Sequence, residues 1–479
     1  MNKIGKKILT AVTAAACILS VGACGGNGGS RPEATAAPNA ETTTAPAQTT
    51  TTTPPATLAD EDKQAINEIE TDLPELENKE VHLLACFDLN PRGGQVKSPA
   101  LEMFETKLGG KIVTDLCSWS DRYDKLATLV NAGDSPDMFS AEDLDIIPGN
   151  IIFQQKFMAM DKYIDYDSEL WAPVKELNDQ FALNGKHYLG LTSTDLKTVL
   201  IYNKKTIEEN GLTDPAQLVM DGEWDWDAMY DMFSKFCNPA DEIYGIDCWE
   251  FEPDFALTCG VPYVGMKDGQ IVHNLKDPMV QKVQDFFLKL NRAEIPMPVT
   301  KREIPLNIGQ GKTLFFAKGA YCLYEPTTIA GMGVTTEDIM FVPLPKCPDA
   351  DEWYLPSVVK GFSIPLGAKN PEGTAAYLNC VMICRDNEKV KEIEENQLFN
   401  EYGWTQEMYD MLLYARELTD AHPVFDYQKT INEDLYGELN EETKASYNHG
   451  TPWGDTVDAL ADLTQTYIDE ANERLAALA

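Results

Sequence analysis

Aromatic and polar side chains follow most of the predicted strands of this chain. Trp119 and Asp121 come shortly after the segment KIVTDLC, and Trp249 and Glu252 come after EIYGIDC. The full set at such strand ends is Asp88, Asn90, Arg92, Trp119, Asp121, Glu142, Trp249, Glu252, Tyr324 and Glu325. Flat rings offer stacking surfaces, while carboxylate, amide and guanidinium groups offer planar hydrogen bonds. The mixture suits a ligand with C–H faces and a rim of hydroxyls, and it favours sugars over free amino acids, while peptides and polyols remain open.

Several tryptophans are instead predicted to be structural. Asp225 is a natural N-cap for the helix that follows it, and two tryptophans flank it. The structural set is Trp171, Trp224, Trp226 and Trp404. Trp119, Trp249 and Trp453 fall in polar segments that would house a buried indole poorly, so ligand contact and packing both remain open for them.

The sequence contains few of the residue patterns that are typical of catalytic sites. The five histidines are scattered, and no serine-hydrolase elbow, zinc pair or calcium loop is present. The segment IGQGKT has Leu306 where a phosphate loop needs its first glycine. The sequence thus predicts no catalytic residue, no metal site and no cofactor. Glycoside hydrolysis by a carboxylate pair remains the alternative, because 77 acidic residues make any chosen pair uninformative.

Composition excludes one class of partner. The formal net charge is −38 and the sequence pI is about 4.4. Nucleic-acid binding needs clustered lysine and arginine against phosphates, so no nucleic-acid partner is expected.

The first residues predict export and anchoring. Lys3, Lys6 and Lys7 precede an apolar stretch, 8–21, that is too short to remain as a membrane span. The segment VGAC is similar to the bacterial lipobox, which makes 1–23 a signal peptide and Cys24 the lipidated mature N-terminus. Residues 24–59 are rich in Thr, Pro and Ala and predict a disordered tether, and residues 60–80 predict an acidic linker with Ile66 and Ile69 at helical spacing. The expected location is the extracellular face of the cytoplasmic membrane.

Cysteine usage does not predict a disulfide scaffold. Nine cysteines remain after Cys17 and Cys24 are set aside, an odd number without regular spacing. Cys380 and Cys384 lie four apart in an apolar helical pattern, which predicts core packing rather than a redox or metal pair.

Strands and helices alternate from residue 81 onward. EVHLLACF, KIVTDLC and PDMFS predict strands, and helical patterns lie between them. The alternation recurs with TVLIYN, EIYGIDC, AYCLYE and IMFVPLP as strands, and it predicts two α/β units with mostly parallel sheets. The C-terminal part is mostly helical, with Val457, Leu460, Leu463, Tyr467, Ala471 and Leu475 predicted on one face.

Five ordered segments resemble the family 1 extracellular solute-binding proteins. They are DKLATLVNAGDSPDMF, TVLIYNKKTIEENGLTDP with EWDWDAMYDMFSKFC, FFAKGAYCLYE, VPLPKCPD and VKGFSIPLGAKNPEGTAAYLNCVM. The resemblance covers nearly everything from residue 81. It implies a two-lobed, periplasmic-binding-protein-like α/β fold of type II, with hinged lobes and a ligand in the cleft between them.

The resemblance also implies where the chain crosses between the lobes. The crossings are expected at Thr198–Asn203 and at 357–362. Lobe 1 is then 81–197 with 362–405, and lobe 2 is 203–358 with 406–479. Family members place ligand contacts at positions that match Trp249, Tyr324, Glu325 and Trp453. Asp195 and Gly361, which lie beside and within the crossings, complete the candidate set.

The implied function is capture of a mono- or oligosaccharide for an ABC importer, without bond chemistry. The expected partners are the carbohydrate, the permease subunits and the membrane through the lipid anchor, with the protein itself a monomer. The alternative is a tethered, secreted glycoside hydrolase.

Overall fold

Two sheets and one hairpin organise the protein, for which a computed structural model describes residues 57–91, 96–141, 156–248, 251–295, 304–431 and 433–477. The predictions for Cys24, Arg92, Glu142 and Trp249 fall outside these residues. The strands are β1 Glu80–Ala85, β2 Lys111–Leu116, β3 Met138–Ser140, β4 Gly190–Leu196, β5 Thr198–Asn203, β6 Tyr244–Cys248, β7 Val264–Lys267, β8 Gln270–His273, β9 Thr313–Gly319, β10 Ile339–Pro343, β11 Leu355–Ser363 and β12 Pro423–Val424.

The helices connect these strands and fill the C-terminal part. They are α1 Asp60–Asn67, α2 Pro99–Leu108, α3 Arg122–Ala132, α4 Lys175–Gln180, α5 Lys204–Glu209, α6 Pro215–Asp221, α7 Trp226–Phe236, α8 Phe251–Ala256, α9 Pro278–Arg292, α10 Leu306–Gly309, α11 Pro326–Gly331, α12 Pro371–Arg385, α13 Glu388–Asn400, α14 Gln406–Ala421, α15 Gln428–Ile431, α16 Glu433–Thr443, α17 Ala445–His449 and α18 Val457–Ala476. None of the described helices is long and apolar enough to cross a bilayer.

Local signals explain the ends of these elements. Helix α2 begins at Pro99 after Ser98, whose hydroxyl accepts a hydrogen bond from the Leu101 amide at 3.2 Å. It ends at Gly109, whose φ of +64° is the left-handed conformation that glycine adopts without strain. Asp225 caps α7 as predicted, because its carboxylate accepts from the Ala228 amide at 2.8 Å.

The first sheet has six strands in the order β12, β11, β3, β1, β2, with β4 added on β11. Strands β1, β2 and β3 are parallel, while β11 runs antiparallel to β3 and β4. The second sheet has the order β10, β5, β9, β6, and only β6 and β9 are parallel in it. Strand pairing is therefore mixed, whereas the sequence predicts mostly parallel sheets. The antiparallel pairs involve β5 and β11, the two strands that the chain enters directly from the other sheet.

Two apolar clusters correspond to the two sheets. The smaller packs the first sheet against α2 and α12, with Val81, Phe104 and Leu378 fully buried. The larger surrounds the second sheet, where Phe233 and Phe315 are fully buried. Trp171, Trp224, Trp226 and Trp404 are all at most 5% exposed, which confirms their structural role.

Two local predictions are corrected. The segment AYCLYE is not a strand: β9 ends at Gly319, and 3₁₀ helix Ala320–Tyr324 follows. On α18 the buried face is formed by Leu460, Ala461, Thr464, Ile468 and Ala471, while Leu463 is 39% exposed. The observed buried face differs from the predicted one because it includes the polar residue Thr464, whose hydroxyl donates to the Leu460 carbonyl. A pattern of hydrophobic residues does not detect a polar residue in the core.

No disulfide joins the eight cysteines whose side chains are described. Cys86 and Cys117 are nearest, with their Sγ atoms 4.0 Å apart, about twice the length of an S–S bond. Cys380 and Cys384 are 0% and 5% exposed, and burial raises the pKa of each thiol to about 12. Both are core residues, as the helical pattern predicts.

Candidate functional site

The candidate site lies where the chain passes from the first sheet to the second. Lys197 is the single residue between β4 and β5, which belong to different sheets. Its amide donates to the Pro356 carbonyl at 3.1 Å, and its carbonyl accepts from the Ala320 amide at 3.3 Å. The return connection lies between Pro343 and Leu355, before the expected segment 357–362.

A cavity of about 780 Å³ opens beside this connection. Residues after β1 and β2 contribute Cys86, Phe87 and Trp119 from the first sheet. The remaining lining comes from β4, β5, α8, the end of β9, β11 and α15: Asp195, Leu196, Lys197, Thr198, Phe251, Asp254, Ala317, Lys318, Gly319, Ala320, Tyr321, Tyr324, Glu325, Val358, Lys360 and Lys429. The volume lies within the range of about 300–1,000 Å³ typical of small-molecule sites.

Two exposed aromatic rings line the cavity, one from each sheet. Trp119, after β2, is 52% exposed, and Tyr321, after β9, is 55% exposed. The Arg122 guanidinium lies 3.8 Å from the centre of the Trp119 ring and also donates to the Trp119 carbonyl. The Tyr321 ring folds against Gly319, where a Cβ would lie 2.4 Å from a ring carbon. A glycine at 319 therefore lets the Tyr321 ring take this position.

The buried Asp254 carboxylate binds the connection between the sheets. Its Oδ1 lies 2.6 Å from Lys197 Nζ, and its Oδ2 accepts from the Thr198 hydroxyl. The Asp254 side chain is 7% exposed, whereas its partner Lys197 is 36% exposed toward the cavity side of the pair. Such a paired carboxylate holds α8 of the second sheet against the connecting residues.

A second polar cluster joins Asp195, Arg416 and Tyr324 at the cavity wall. Arg416 Nε lies 3.5 Å from Asp195 Oδ1, and Nη2 donates to the Tyr324 hydroxyl at 3.2 Å. The Tyr324 ring stacks on Trp404 with ring centres 5.5 Å apart. Burial raises the pKa of Tyr324 to about 12, so the phenol stays protonated at neutral pH.

Four of the predicted site residues lie together on the cavity wall: Trp119, Asp195, Tyr324 and Glu325. Glu325 also accepts from the Thr328 hydroxyl at 3.0 Å. The two sheets thus bring together side chains that are more than 200 positions apart in the chain.

Asp88 and Asn90 are placed elsewhere, in a turn that follows β1. Asp88 Oδ1 accepts from the Thr114 hydroxyl at 2.6 Å and from the Asn90 amide at 3.1 Å. The Asn90 side chain donates to the Ile112 carbonyl at 3.2 Å. Both side chains tie the turn to β2, and neither lines the cavity.

Asp121 and Glu252 also lie off the cavity wall. The Asp121 carboxylate accepts from the Ser118 and Ser120 hydroxyls directly before α3. Glu252 lies in the first turn of α8, where Phe251 and Asp254 are the residues that line the cavity. The predicted residue, Glu252, is therefore the direct neighbour in sequence of Phe251, which does line the cavity.

Trp453 and Gly361 have structural positions. Trp453 is 2% exposed, and its indole N–H donates to the Leu275 carbonyl at 3.0 Å. No ring face remains for a ligand, which corrects the expectation from the resemblance. Gly361 has φ +151° at a register shift between β4 and β11, where a Cβ would lie 2.2 Å from the Gly190 carbonyl oxygen. Its role is close backbone approach.

Sequence reasoning missed Tyr321, Lys197, Asp254 and Arg416. A strand over AYCLYE would place only its last residues, Tyr324 and Glu325, at a strand end. The segment is instead a 3₁₀ helix, in which Tyr321 also lines the cavity. Arg416 is an exposed residue of α14 whose side chain is 44% accessible, so nothing in the local sequence pattern distinguishes it from other surface charges.

A second cavity, of about 390 Å³, lies between residues 180–184, the β7–β8 hairpin and the end of α18. Its described lining includes Asp268 but no lysine or arginine, and its aromatic side chains, Phe181 and Tyr427, are each 4% exposed. The first cavity therefore carries the stronger features of a ligand site.

No family model and no curated protein matches this chain. Solved structures do match it over most of its length. A sugar-binding MalE protein from Xanthomonas citri has a TM-score of 0.57 and 15% identity, covering 83% of this chain and 98% of the other. A substrate-binding protein from Listeria monocytogenes in complex with cycloalternan gives 0.56 and 15%, covering 82% and 98%.

A binding protein from B. animalis subsp. lactis in complex with β-1,6-galactobiose gives a TM-score of 0.55 and 15% identity, covering 82% of this chain and 98% of the other. At such identities the likeness is one of fold. The chain has the two-lobed α/β fold of the sugar-binding proteins of ABC transporters.

Proposed function

We propose that this protein captures a carbohydrate in the cavity beside Lys197 and delivers it to an ABC importer. The observation that carries the proposal is the pair of half-exposed rings, Trp119 and Tyr321, which face one cavity from two sheets. Exposed aromatic rings that line one cavity are a common feature of ligand-binding sites, since a ligand can remove their apolar surface from water. A sugar ring has apolar C–H faces that can stack on such rings.

The polar wall suits the hydroxyl rim of the same ligand. Asp195 and Glu325 carry acceptor oxygens, while Lys318 and Lys360 carry donors. Proteins of the same fold are described in complex with cycloalternan, with maltotetraose and with β-1,6-galactobiose. These ligands support a saccharide as the ligand class for this chain.

Capture is proposed to proceed by closure of the two lobes about the connection at Lys197, with no bond chemistry. The lobes are proposed as two discontinuous halves, one built around the first sheet and one around the second, with connections at Lys197 and at residues 344–354. Closure would bring Trp119 toward Tyr321 and exclude water from the polar groups of the wall. The protein is further proposed to act as a monomer, anchored through lipidated Cys24 on the extracellular face of the cytoplasmic membrane and presented to permease subunits.

Thermal unfolding with a panel of oligosaccharides tests the binding function. A ligand at one hundred times its Kd adds about 2.7 kcal/mol of stability, which raises the melting temperature by several degrees. We expect one class of saccharide to raise it and no reducing ends to be released. Hydrolysis of the sugar would replace the proposal with the glycoside hydrolase, and a folded protein that responds to no saccharide would refute carbohydrate capture.

Membrane fractionation tests the anchor. Two acyl chains on Cys24 would hold the protein stably on a bilayer, since one chain alone binds only marginally. The Cys24→Ser chain is expected in the soluble extracellular fraction, whereas Cys17→Ser leaves the protein membrane-bound. Equal partition of both variants would refute lipidation at Cys24.

A further inference from the structure

Two cysteines directly follow the neighbouring parallel strands β1 and β2. The last residues paired between these strands are Ala85 and Leu116, so Cys86 and Cys117 are the next pair in register. The Cys117 amide donates to the Ala85 carbonyl at 3.1 Å, which extends the ladder to this position. Both side chains are thiols, and their Sγ atoms are 4.0 Å apart. The pairing of β1 with β2 therefore brings two sulfur atoms into contact.

The spacing of the backbone at this point is compatible with a disulfide. Neighbouring strands lie about 4.8 Å apart, within the range of about 4.4–6.8 Å between the Cα atoms of linked cysteines. A bond requires the two Sγ atoms to approach from 4.0 Å to about 2.05 Å. Cys86 and Cys117 lie just beyond the last residues of their strands, so a small backbone shift there disturbs few ladder hydrogen bonds.

Accessibility and acidity set these two cysteines apart from other cysteines of the chain. Cys86 and Cys117 are both half-buried, and Cys86 lines the cavity of about 780 Å³. Burial raises the thiol pKa of Cys237, Cys380 and Cys384 to about 12. The thiolate is the form that attacks a disulfide, so these three thiols react poorly at neutral pH. A small disulfide that enters the cavity meets Cys86 on its wall.

We propose that Cys86 and Cys117 form a redox site, which closes to an intramolecular disulfide by exchange with a low-molecular-weight disulfide such as oxidised glutathione. One cysteine attacks a sulfur of the small disulfide, which forms a mixed disulfide and releases one small thiol. The other cysteine attacks the mixed disulfide and releases the second small thiol. The two protein thiols are thereby oxidised, and the small disulfide is reduced to two thiols that take up the protons. An excess of small thiol reverses the reaction.

Oxidation is expected to act on the ligand cavity, and this consequence rests on the proposed function. Cys117 is two residues before Trp119, and Cys86 directly precedes Phe87, which lines the cavity with Trp119. The Cβ atoms of linked cysteines are about 3.8 Å apart, which is less than the strand spacing of about 4.8 Å, so at least one segment must shift by about 1 Å. Binding contacts need placement within about 0.5 Å, so the oxidised protein binds saccharide more weakly.

Peptide mapping after incubation in glutathione buffers tests the disulfide. The purified protein is equilibrated at about pH 8 with mixtures of oxidised and reduced glutathione, quenched with acid, alkylated in denaturant and digested with trypsin. We expect peptides 80–92 and 112–122 to be linked, and the link to disappear when excess reduced glutathione is added before quenching. Peptide 370–385, which holds both Cys380 and Cys384, is the internal control and should remain alkylated.

Serine variants assign the chemistry to the two cysteines. Cys86→Ser and Cys117→Ser are each expected to stop at a mixed disulfide of glutathione with the remaining cysteine. Cys237→Ser removes another half-buried thiol and is the matched control, in which the linked peptides should form as in wild type.

Calorimetry in oxidised and reduced buffer tests the effect on the cavity. The titrant is the saccharide that gives the largest thermal shift. We expect the oxidised protein to bind it about 10-fold more weakly than the reduced protein, which is a partial loss of an aromatic contact. The double variant Cys86→Ser with Cys117→Ser should have the same Kd in both buffers.

The outcomes separate the redox site from the function of the cavity. Full alkylation of both cysteines in the most oxidising buffer overturns the redox site, and so does a link from either one to a third cysteine. A complete disulfide with an unchanged Kd overturns the effect on ligand binding and keeps the redox site. A protein that binds no saccharide in either buffer refutes carbohydrate capture, while the linked peptides still decide the redox site.

Discussion

At the scale of single residues, two tryptophans that both lie in polar segments differ completely in their exposure to solvent. Trp119 is 52% exposed on the cavity wall, whereas Trp453 is 2% exposed with its N–H bonded to the Leu275 carbonyl. Leu275 is 178 positions earlier in the chain, so the acceptor that satisfies this indole cannot be inferred from neighbours in sequence. Exposure of a large ring at a cavity is the property that separates a ligand contact from a core residue.

Trp119→Ala is predicted to abolish most ligand affinity while leaving the fold intact. Loss of an aromatic anchor typically costs about 2 kcal/mol or more, which is about 30-fold in Kd. Calorimetry with the saccharide that gives the largest thermal shift measures the change. The control is Leu413→Ala, a side chain that is 47% exposed outside the cavity, for which both Kd and melting temperature should be unchanged. Wild-type affinity in the Trp119 variant would contradict the stacking role.

Gly361→Ala is predicted to destabilise the protein by about 2–5 kcal/mol, because strain and overpacking add at this position. The residue has φ +151°, and a Cβ would lie 2.2 Å from the Gly190 carbonyl oxygen, which is backbone and cannot rotate away. Urea unfolding measures the change. Gly437→Ala is the control: this position, on α16, has open space around the added Cβ, and alanine there should stabilise by about 0.5–1 kcal/mol. Equal effects at the two positions would refute the argument.

At the scale of elements, a short change of secondary structure decides which side chain meets the cavity. The chain leaves β9 at Gly319 and turns at once into 3₁₀ helix Ala320–Tyr324. In a strand successive residues alternate between two faces, whereas three residues per turn place 321 and 324 on one side. Both tyrosines line the cavity for that reason.

The landmark PDMF has a comparable explanation at this scale. The Asp137 carboxylate accepts from the backbone amides of His82, Lys369 and Asn370 at 3.0, 2.8 and 2.7 Å. It therefore joins the start of β1 to the N-terminus of α12, two elements almost 300 positions apart. A carboxylate that satisfies three amides at once is a strong reason for an aspartate directly before β3.

Asp426 is predicted to make stability fall as pH rises from about 4 to 6. It lies between β12 and α15 and accepts from the Gln428 and Tyr263 amides at 2.8 and 3.2 Å. Burial raises the pKa of this carboxyl to about 6 from an ordinary value of 3.8. The folded state therefore holds the proton more tightly than the unfolded state, so its stabilising contribution is complete below about pH 4 and is lost as pH passes 6.

Guanidinium unfolding at pH 4 and pH 7 checks this expectation. A shift of about two pKa units corresponds to about 3 kcal/mol, so wild type should lose about that much more stability over the interval than Asp426→Asn. Asp231→Asn removes an exposed carboxylate on α7 and serves as the charge control, with a pH dependence like that of wild type. Parallel curves for wild type and Asp426→Asn would contradict the prediction.

At the scale of the whole molecule, the two sheets meet through very little covalent chain. Lys197 alone separates β4 from β5, and residues 344–354 form the return. Because Lys197 bonds to both the first sheet and the segment after β9, a small rotation here would change the distance between the two cavity walls.

Small-angle X-ray scattering is predicted to show a smaller radius of gyration when the saccharide is saturating. Closure lets both ring walls cover one ligand, and this differential contact favours the closed state. The double variant Trp119→Ala with Tyr321→Ala should show no contraction at the same ligand concentration. Calorimetrically verified binding with an unchanged radius would refute closure and leave binding in a rigid cleft.

Several features follow from the sequence because their causes are local. Alternating strands and helices, the Asp225 cap and the end of α2 at Gly109 all depend on residues within about one turn of each other. Hydrophobic periodicity and capping chemistry act over that range, so a sequence carries enough information to predict them. The acidic composition likewise follows from counting.

The cavity itself is decided by tertiary structure. Trp119, Asp195, Tyr324 and Glu325 meet there, while Asp88, Asn90 and Trp453, equally plausible in sequence, are bonded elsewhere. The same packing brings Lys318, Lys360 and Lys429, from three separate elements, to one wall. The sequence by itself determines the elements and the total charge, because these depend on neighbouring residues and on sums. Tertiary structure alone decides which strand ends face each other, because that depends on contacts between residues hundreds of positions apart.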